Sequence, residues 1–391
     1  MEVTAVDVHL VPSDAALSGY GLNGYLVVRV HTDAGVVGVG EAGTWAYLEP
    51  TATAVETFGR YLVGEDPLRR AHHLDYCYRN AHFRGGVLRG ALSALDVALH
   101  DIAGKHHGLP VYDLLGGRVR DRVRVYVHAF GETVDDLAGE CAAAVDDGFT
   151  AVGHLSPLLD EPRDEPYDET HAARQARAEA RVERFRDAVG TDADLLLELH
   201  RRLDPKEAVP LCRRLERFDP LFYEDPVRPD DLDATARVAR ATSVPVATGE
   251  RLTHPAEFGA LLRRDAAEYL RPNLGLVGGF TGARTVAALA EARYAAVVPH
   301  NPLGPVMTAA VLQFAAGTPN VPLVEYPYRP RLGAAPRADL LVDGFDREGG
   351  HLLVPEGPGL GITLDESVLE QPYEPRAIET RLGADGSVVD Q

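Results

Sequence analysis

Lysine is almost missing from this chain. Of its 39 basic residues only Lys105 and Lys206 are lysines, and neither closes a predicted strand, so a lysine general base is all but excluded. Cysteine is scarce as well. Cys77, Cys141 and Cys212 are far apart and odd in number, which excludes a disulfide framework or a thiolate zinc site and fits a reducing compartment. No apolar run approaches the roughly 18 residues of a membrane span. The opening Met1-Glu2-Val3-Thr4 lacks the basic and apolar stretches of a signal peptide. These absences predict a cytoplasmic protein. Positive charge is also short: 39 basic against 59 acidic side chains leave a net charge of −20. Nucleic acid and anionic membranes are therefore poor partners. An anionic substrate would need a local cation to hold it.

What the chain does have is rhythm. Near-constant steps of roughly 23–27 residues separate six apolar runs, each ending in a chemically capable side chain. Leu195-Leu196-Leu197 leads to Glu198, Leu221-Phe222-Tyr223 to Glu224, and Val244–Gly249 to Glu250. Tyr269–Pro272 leads to Asn273, Ala296–Pro299 to His300, and Val321–Val324 to Glu325. One step is about a strand, a helix and two loops. Together with runs near 123–129 and 150–155, this makes eight strands, the number that closes a parallel β/α barrel. The predicted class is therefore α/β, a modified (β/α) barrel. Before it, residues 3–8, 25–30 and 36–41 alternate like an antiparallel meander, and 52–115 are helical, with Leu92, Leu95, Leu99 and Ile102 at helical spacing. This first part reads as an α+β domain. The longest interval, between strands two and three, holds Asp160-Glu161-Pro162-Arg163-Asp164-Glu165-Pro166, which serves as a lid or as a solvated loop.

In a barrel, all strands end on one face, where active sites sit. The pattern thus brings Glu198, Glu224 and Glu250 to one mouth. Three neighbouring carboxylates repel unless a cation lies between them, and hard oxygen ligands point to Mg²⁺. Singly, each glutamate has a plainer explanation: a loop carboxylate, a turn cap, an ion pair with Arg251. Their joint position favours a metal. His300, stiffened by Pro299 and Pro302, and His200, two residues past Glu198, reach the same mouth. Two histidines flanking a substrate provide an acid and a base.

Several segments resemble the enolase superfamily, in its mandelate racemase and muconate lactonizing enzyme group. They are Arg84-Gly85-Gly86, Ala94–Lys105, Pro110–Gly117, Thr248–Leu252, Gly278-Gly279, Pro299–Pro305 and Pro358–Gly361. The likeness spans nearly the whole chain and is strongest to galactonate dehydratase-type sugar-acid dehydratases. It implies an α+β capping domain over residues 1–118, a barrel over 119–345, and a tail over 346–391 that completes the cap. It implies Mg²⁺ held by Glu198, Glu224 and Glu250, a cytoplasmic homo-oligomer, and a sugar-acid substrate. In such dehydratases the histidine at the place of His300 takes the proton next to the carboxylate, and that of His200 protonates the departing hydroxide. Glu325, if protonated, would hydrogen-bond the enediolate, and the product would be a 2-keto-3-deoxy acid. Tyr20, Asn23 and Arg251 are the expected substrate contacts. The loop around Tyr20–Tyr25, with Gly19, Gly21 and Gly24, and the loop of Trp45 are expected to cover the mouth.

Three departures bear on the chemistry. Glu198 stands where the group usually has aspartate. The racemase-type Lys-x-Lys is replaced by Val152-Gly153-His154-Leu155, which disfavours racemisation. Asn273 replaces the aspartate that pairs with the histidine, and an amide orients an imidazole without stabilising its charge. Epimerisation or cycloisomerisation through the same enediolate, or a weakly catalytic sugar-acid binder, are the alternatives.

Overall fold

A computed structural model describes residues 1–14, 22–158, 169–378 and 380–389. The chain opens on an antiparallel sheet of β1 (Val3–Pro12), β2 (Gly24–Thr32) and β3 (Val37–Ala42), in that order. Helices α1 (Leu48–Leu62), α2 (Arg70–Arg79) and α3 (Gly86–His107) follow. The alternation of β2 places Leu26, Val28 and Val30 on one face, against Val55 and Leu62 of α1 and Leu95, Leu99 and Ile102 of α3. α3 is buried over most of its length, and Gly108, at φ 68°, ends it in the left-handed conformation that suits glycine. Sheet and helix approach closely because β3 carries glycines there: a Cβ on Gly40 would collide with the Ala94 carbonyl.

Eight parallel strands come next: β4 (Arg122–His128), β5 (Ala151–Leu155), β6 (Asp194–Glu198), β7 (Phe222–Glu224), β8 (Val246–Thr248), β9 (Tyr269–Leu270), β10 (Ala296–Val297) and β11 (Val324–Tyr326). They pair in sequence order from β4 to β10, and β11 returns to pair with β4. In the register of β6 with β7, Glu198 lies directly beside Glu224. The barrel interior beneath the mouth is plugged by Tyr126, Ala151, Leu196, Phe222, Ala247, Val298 and Leu323, a packed core and not a pore. Helices with apolar inner faces surround it.

The tail divides between the two parts. After β12 (Arg347–Glu348), β13 (His351–Leu353) pairs antiparallel with β4 and extends the barrel sheet. Farther on, Glu366 bonds Arg29 at 2.7 Å and the Tyr373 hydroxyl accepts from Asn23 at 3.0 Å, both on the first sheet or its edge. The Pro358–Gly361 motif explains one buried charge. Asp101 of α3 accepts from Leu360 N and Val39 N while Lys105 neutralises it, locking tail, sheet and helix together. Among the described residues no helix is long and apolar enough to cross a membrane.

Candidate active site

Every barrel strand contributes a polar residue at or just past its C-terminal end: His128, His154, Glu198, Glu224, Glu250, Arg271, His300 and Glu325 in order around the mouth. Glu198, Glu224 and Glu250 are at most 4% exposed. Asp225, buried beside them in a left-handed turn (φ 38°), adds a further carboxylate that does not stand out in the sequence.

Two guanidiniums, neither expected, organise these acids. Arg271 is fully buried. It bonds Glu224 through Nε and Glu325 through Nη2, both at 2.6 Å, and also donates to the Tyr126 hydroxyl and the Val298 carbonyl. Arg201 donates to Glu250 at 2.6 Å and to Asp225 at 3.1 Å. His200 and Arg201 both adopt left-handed φ, 54° and 64°. That pair of strained residues turns the chain after β6 so that both side chains enter the mouth.

The charges do not balance. Five buried carboxylates (Glu198, Glu224, Asp225, Glu250 and Glu325) face the guanidiniums of Arg271 and Arg201 and the partly exposed one of Arg251, leaving two negative charges. The excess settles on Glu198. Its Oε1 accepts from the His200 backbone N at 2.5 Å, while its Oε2 is buried with no hydrogen-bond partner. Burial, then repulsion from Glu224, Asp225 and Glu250, raises its pKa well above the usual carboxylate range. Burial pushes Glu224 up to about 7 even against Arg271. Glu250 goes the other way: burial would raise it, but His300, Arg201 and Arg251 hold it well below normal. A hard divalent cation fits this set, because it supplies the missing charge and a partner for the orphaned oxygen. Glu198, Glu224 and Glu250 are the residues that would hold it. A second group, His128, His154 and Glu325, also brings its donor atoms within 4.8 Å of one another. Its one carboxylate is already paired with Arg271, so it offers a cation less charge.

His300 sits between two partners. Nδ1 lies 3.0 Å from Asn273 Nδ2, and Nε2 lies 3.0 Å from Glu250 Oε2. Burial disfavours charge on its ring, and the carboxylates of Glu250 and Glu325 outweigh burial to raise its pKa. On the far side, His154 stacks on His128 at 4.9 Å and meets His200 edge-on at 5.8 Å. Burial and then these imidazoles press the His154 pKa well below normal. In the sequence His154 stands where the racemase-type lysines are missing, and its ring lines the cavity.

Three expectations need correction or limit. Glu325 is no donor: although burial opposes ionisation, Arg271, His300 and His128 hold it ionised, and its oxygens accept from Arg271, His128 and Asn301 N. Asn23 is not among the residues that line the cavity; its NH₂ group donates to the Tyr373 hydroxyl and the Glu374 carbonyl, its Oδ1 is buried without a hydrogen-bond partner, and Leu22 and Tyr25 line the cavity instead. Tyr20, most of the glycine-rich loop and the 160–166 stretch lie outside the described residues. Arg251 does line the cavity, bonding Glu250 at 3.0 Å with its guanidinium 5.5 Å from the Trp45 ring. Trp45 lines it too.

Fold and mouth together define a class, a capped β/α-barrel enzyme with an acidic cradle and facing histidines. Comparison narrows it. Residues 1–116 match the mandelate racemase / muconate lactonizing enzyme N-terminal domain, and residues 136–368 match the enolase C-terminal domain-like model. The chain is 36% identical over 350 residues to a D-galactonate dehydratase from Variovorax paradoxus, covering 88% of this chain and 89% of that one. It is 33% identical over 374 residues to a D-gluconate dehydratase from Thermoproteus tenax, covering 95% and 73%. A mandelate racemase/muconate lactonizing enzyme-like protein from Roseovarius sp. TM1035 superposes with a TM-score of 0.89 at 32% identity over all of both chains. The chain belongs to the enolase superfamily, in its mandelate racemase / muconate lactonizing enzyme family.

Proposed function

We propose that this protein is a Mg²⁺-dependent dehydratase of an aldonic acid, removing water across the carbons α and β to the carboxylate to give a 2-keto-3-deoxy acid. The hydro-lyase class follows from the family and from relatives that are D-galactonate and D-gluconate dehydratases. The observation that carries the metal is the buried, partnerless Oε2 of Glu198 among three further acids. When bound, Mg²⁺ would draw charge from the substrate carboxylate and make the adjacent C–H acidic.

The chain's own residues do the rest. Arg251 and Trp45 line the cavity, where a guanidinium suits a carboxylate or hydroxyl. His200 and His300 reach the cavity from β6 and β10, four strands apart around the barrel. A substrate between them presents opposite faces to the two imidazoles, which provides for acid–base chemistry. Glu325, fixed as a carboxylate, anchors His128 and Arg271 and does not itself transfer a proton. The test is to incubate the protein with Mg²⁺ and a panel of aldonates and aldarates and to assay for 2-keto acid. Binding without turnover on every member would reject the dehydratase.

A further inference from the structure

A second cleft lies where the cap meets the barrel, and it shares no lining residue with the mouth. It is open to solvent and holds about 680 Å³. Its walls are the start of α2, the middle of α3 and the helix Gly279–Glu291 that follows β9. Arg69, Arg70 and His72 line it from the cap, and Thr281, Arg284 and Thr285 face them from the barrel. No aspartate or glutamate lines it. In a chain with a net charge of −20, a cleft with three arginines and no acid reverses the field of the whole molecule.

These guanidiniums are not paired off. Elsewhere on the surface Arg29 takes Glu366, Arg79 takes Asp75, and Arg264 takes Asp233. Among the described residues, none of Arg69, Arg70 and Arg284 makes a side-chain hydrogen bond or an ion pair. Arg70 is half-buried. Burial lowers its pKa, Asp96 works against that, and the facing Arg284 guanidinium lowers it further. Asp96 is not free to serve as the partner. Its Oδ1 accepts from Thr281 Oγ1 at 2.6 Å and its Oδ2 from Thr281 N at 3.1 Å, with His100 Nδ1 3.3 Å from Oδ2. That carboxylate is spent on docking α3 against the barrel helix, so packed that a Cβ on Gly279 would overlap it. Two like charges from two domains are thus held together without their counter-charge, which costs free energy until an anion supplies it.

We infer that this cleft binds a doubly charged tetrahedral oxyanion, either inorganic phosphate or the phosphate of a phosphomonoester, between Arg70 of the cap and Arg284 of the barrel. Guanidinium forks match phosphate oxygens in pairs. Three cations also call for more than the single charge of a carboxylate. The cleft falls within the range of roughly 300–1,000 Å³ of small-molecule sites, so an organic group behind the phosphate has room. A bound oxyanion removes the repulsion and ties α2 to the barrel helix. The site lies outside the mouth, and the inference does not rest on the dehydratase reading.

Calorimetry on the full, metal-free chain with inorganic phosphate tests it. One phosphate per chain should bind saturably, more weakly as ionic strength rises from about 0.01 M to 0.15 M, and it should raise the thermal midpoint. Arg70→Gln and Arg284→Gln, on separate elements, should each weaken binding about tenfold or more. Arg251→Gln, at the mouth, should leave it within about twofold. Without phosphate, neither Arg70→Gln nor Arg284→Gln should unfold earlier than the native chain, since each removes a repulsion. Glycerol 3-phosphate separates the two sources: tighter binding than inorganic phosphate identifies a phosphomonoester, and equal or weaker binding identifies the free ion. No saturable binding below about 10 mM overturns the inference. So does binding that survives in both Arg70→Gln and Arg284→Gln, binding lost in Arg251→Gln, or earlier phosphate-free unfolding of both cleft variants. Light scattering covers the remaining occupant. An assembly that dissociates in both cleft variants, while the native chain ignores phosphate, would show that an acidic segment of a second copy fills the cleft, and would overturn the inference as well.

Discussion

At the scale of single residues, the mouth is governed by which carboxylates hold protons. Glu198 has a folded-state pKa well above normal and Glu224 one of about 7. Ligand oxygens must be deprotonated to bind a cation, so binding releases protons. Mg²⁺ affinity should therefore rise with pH between about pH 6 and pH 8, with proton release visible in calorimetry as a dependence on the buffer's ionisation enthalpy. A flat affinity over that range would mean these acids do not hold the ion. Arg201 supplies a second test, because its guanidinium already neutralises Glu250 and Asp225. Arg201→Gln removes that competing charge and should tighten Mg²⁺ roughly tenfold, about 1.4 kcal/mol. Weaker binding in the variant would show that Arg201 helps build the cradle instead of competing for it. The three glutamates and His300 were legible because each follows an apolar run at a fixed interval. Arg271 was not, although it stands only two residues before Asn273. A charged side chain inside a strand reads as exposed until its partners are known, and those of Arg271 come from three other strands: Tyr126, Glu224 and Glu325. The reversed polarity of Glu325 follows from the same omission.

At the scale of elements, one carboxylate ties the cap to the barrel. Glu41 of β3 is fully buried and accepts from Gly304 N at 2.6 Å and Met307 N at 2.9 Å, capping the N-terminus of the helix Pro305–Ala316 that follows His300. Burial outweighs those two bonds and pushes its pKa up to about 7. A carboxyl with a raised folded-state pKa binds more protons folded than unfolded. Stability from this group is therefore complete at low pH and is lost as pH rises from about 4.5 to about 7, by at most about 3 kcal/mol. Denaturant titration of the metal-free protein should show unfolding free energy falling over that window, in the same direction as Glu198 and Glu224. Glu41→Gln should flatten part of the fall and cost about 1–2 kcal/mol at low pH, where one of the two N–H groups loses its acceptor. A pH dependence unchanged in the variant would show that Glu41 is ionised throughout. The helices and strands of cap and barrel were readable from periodicity, since β2 alternates and α3 repeats its leucines. The destination of β13 was not. Its three residues have no pattern long enough to distinguish a strand on the barrel from a turn within the cap, and only pairing with β4 settles it.

At the scale of the whole molecule, the net charge of −20 sets how the substrate arrives. A sugar acid is an anion and is repelled by this surface at long range. Raising ionic strength from about 0.01 M to 0.15 M shortens the screening length from about 30 to about 8 Å. kcat/KM for an aldonate should therefore rise with salt, the opposite of a steered reaction. A fall would show that local guanidiniums such as Arg251 outweigh the global field. The central claim is that three strand-end glutamates hold Mg²⁺ so that a sugar acid loses water. The most direct measurement is production of 2-keto-3-deoxy acid from D-galactonate, D-gluconate and the related acids of the panel, followed with Mg²⁺, with a chelator, and in Glu198→Gln. If the claim holds, at least one acid turns over with Mg²⁺, none does with the chelator, activity recovers on adding Mg²⁺ back, and the variant loses at least 10²-fold. Turnover that survives both the chelator and the Glu198→Gln change would contradict it.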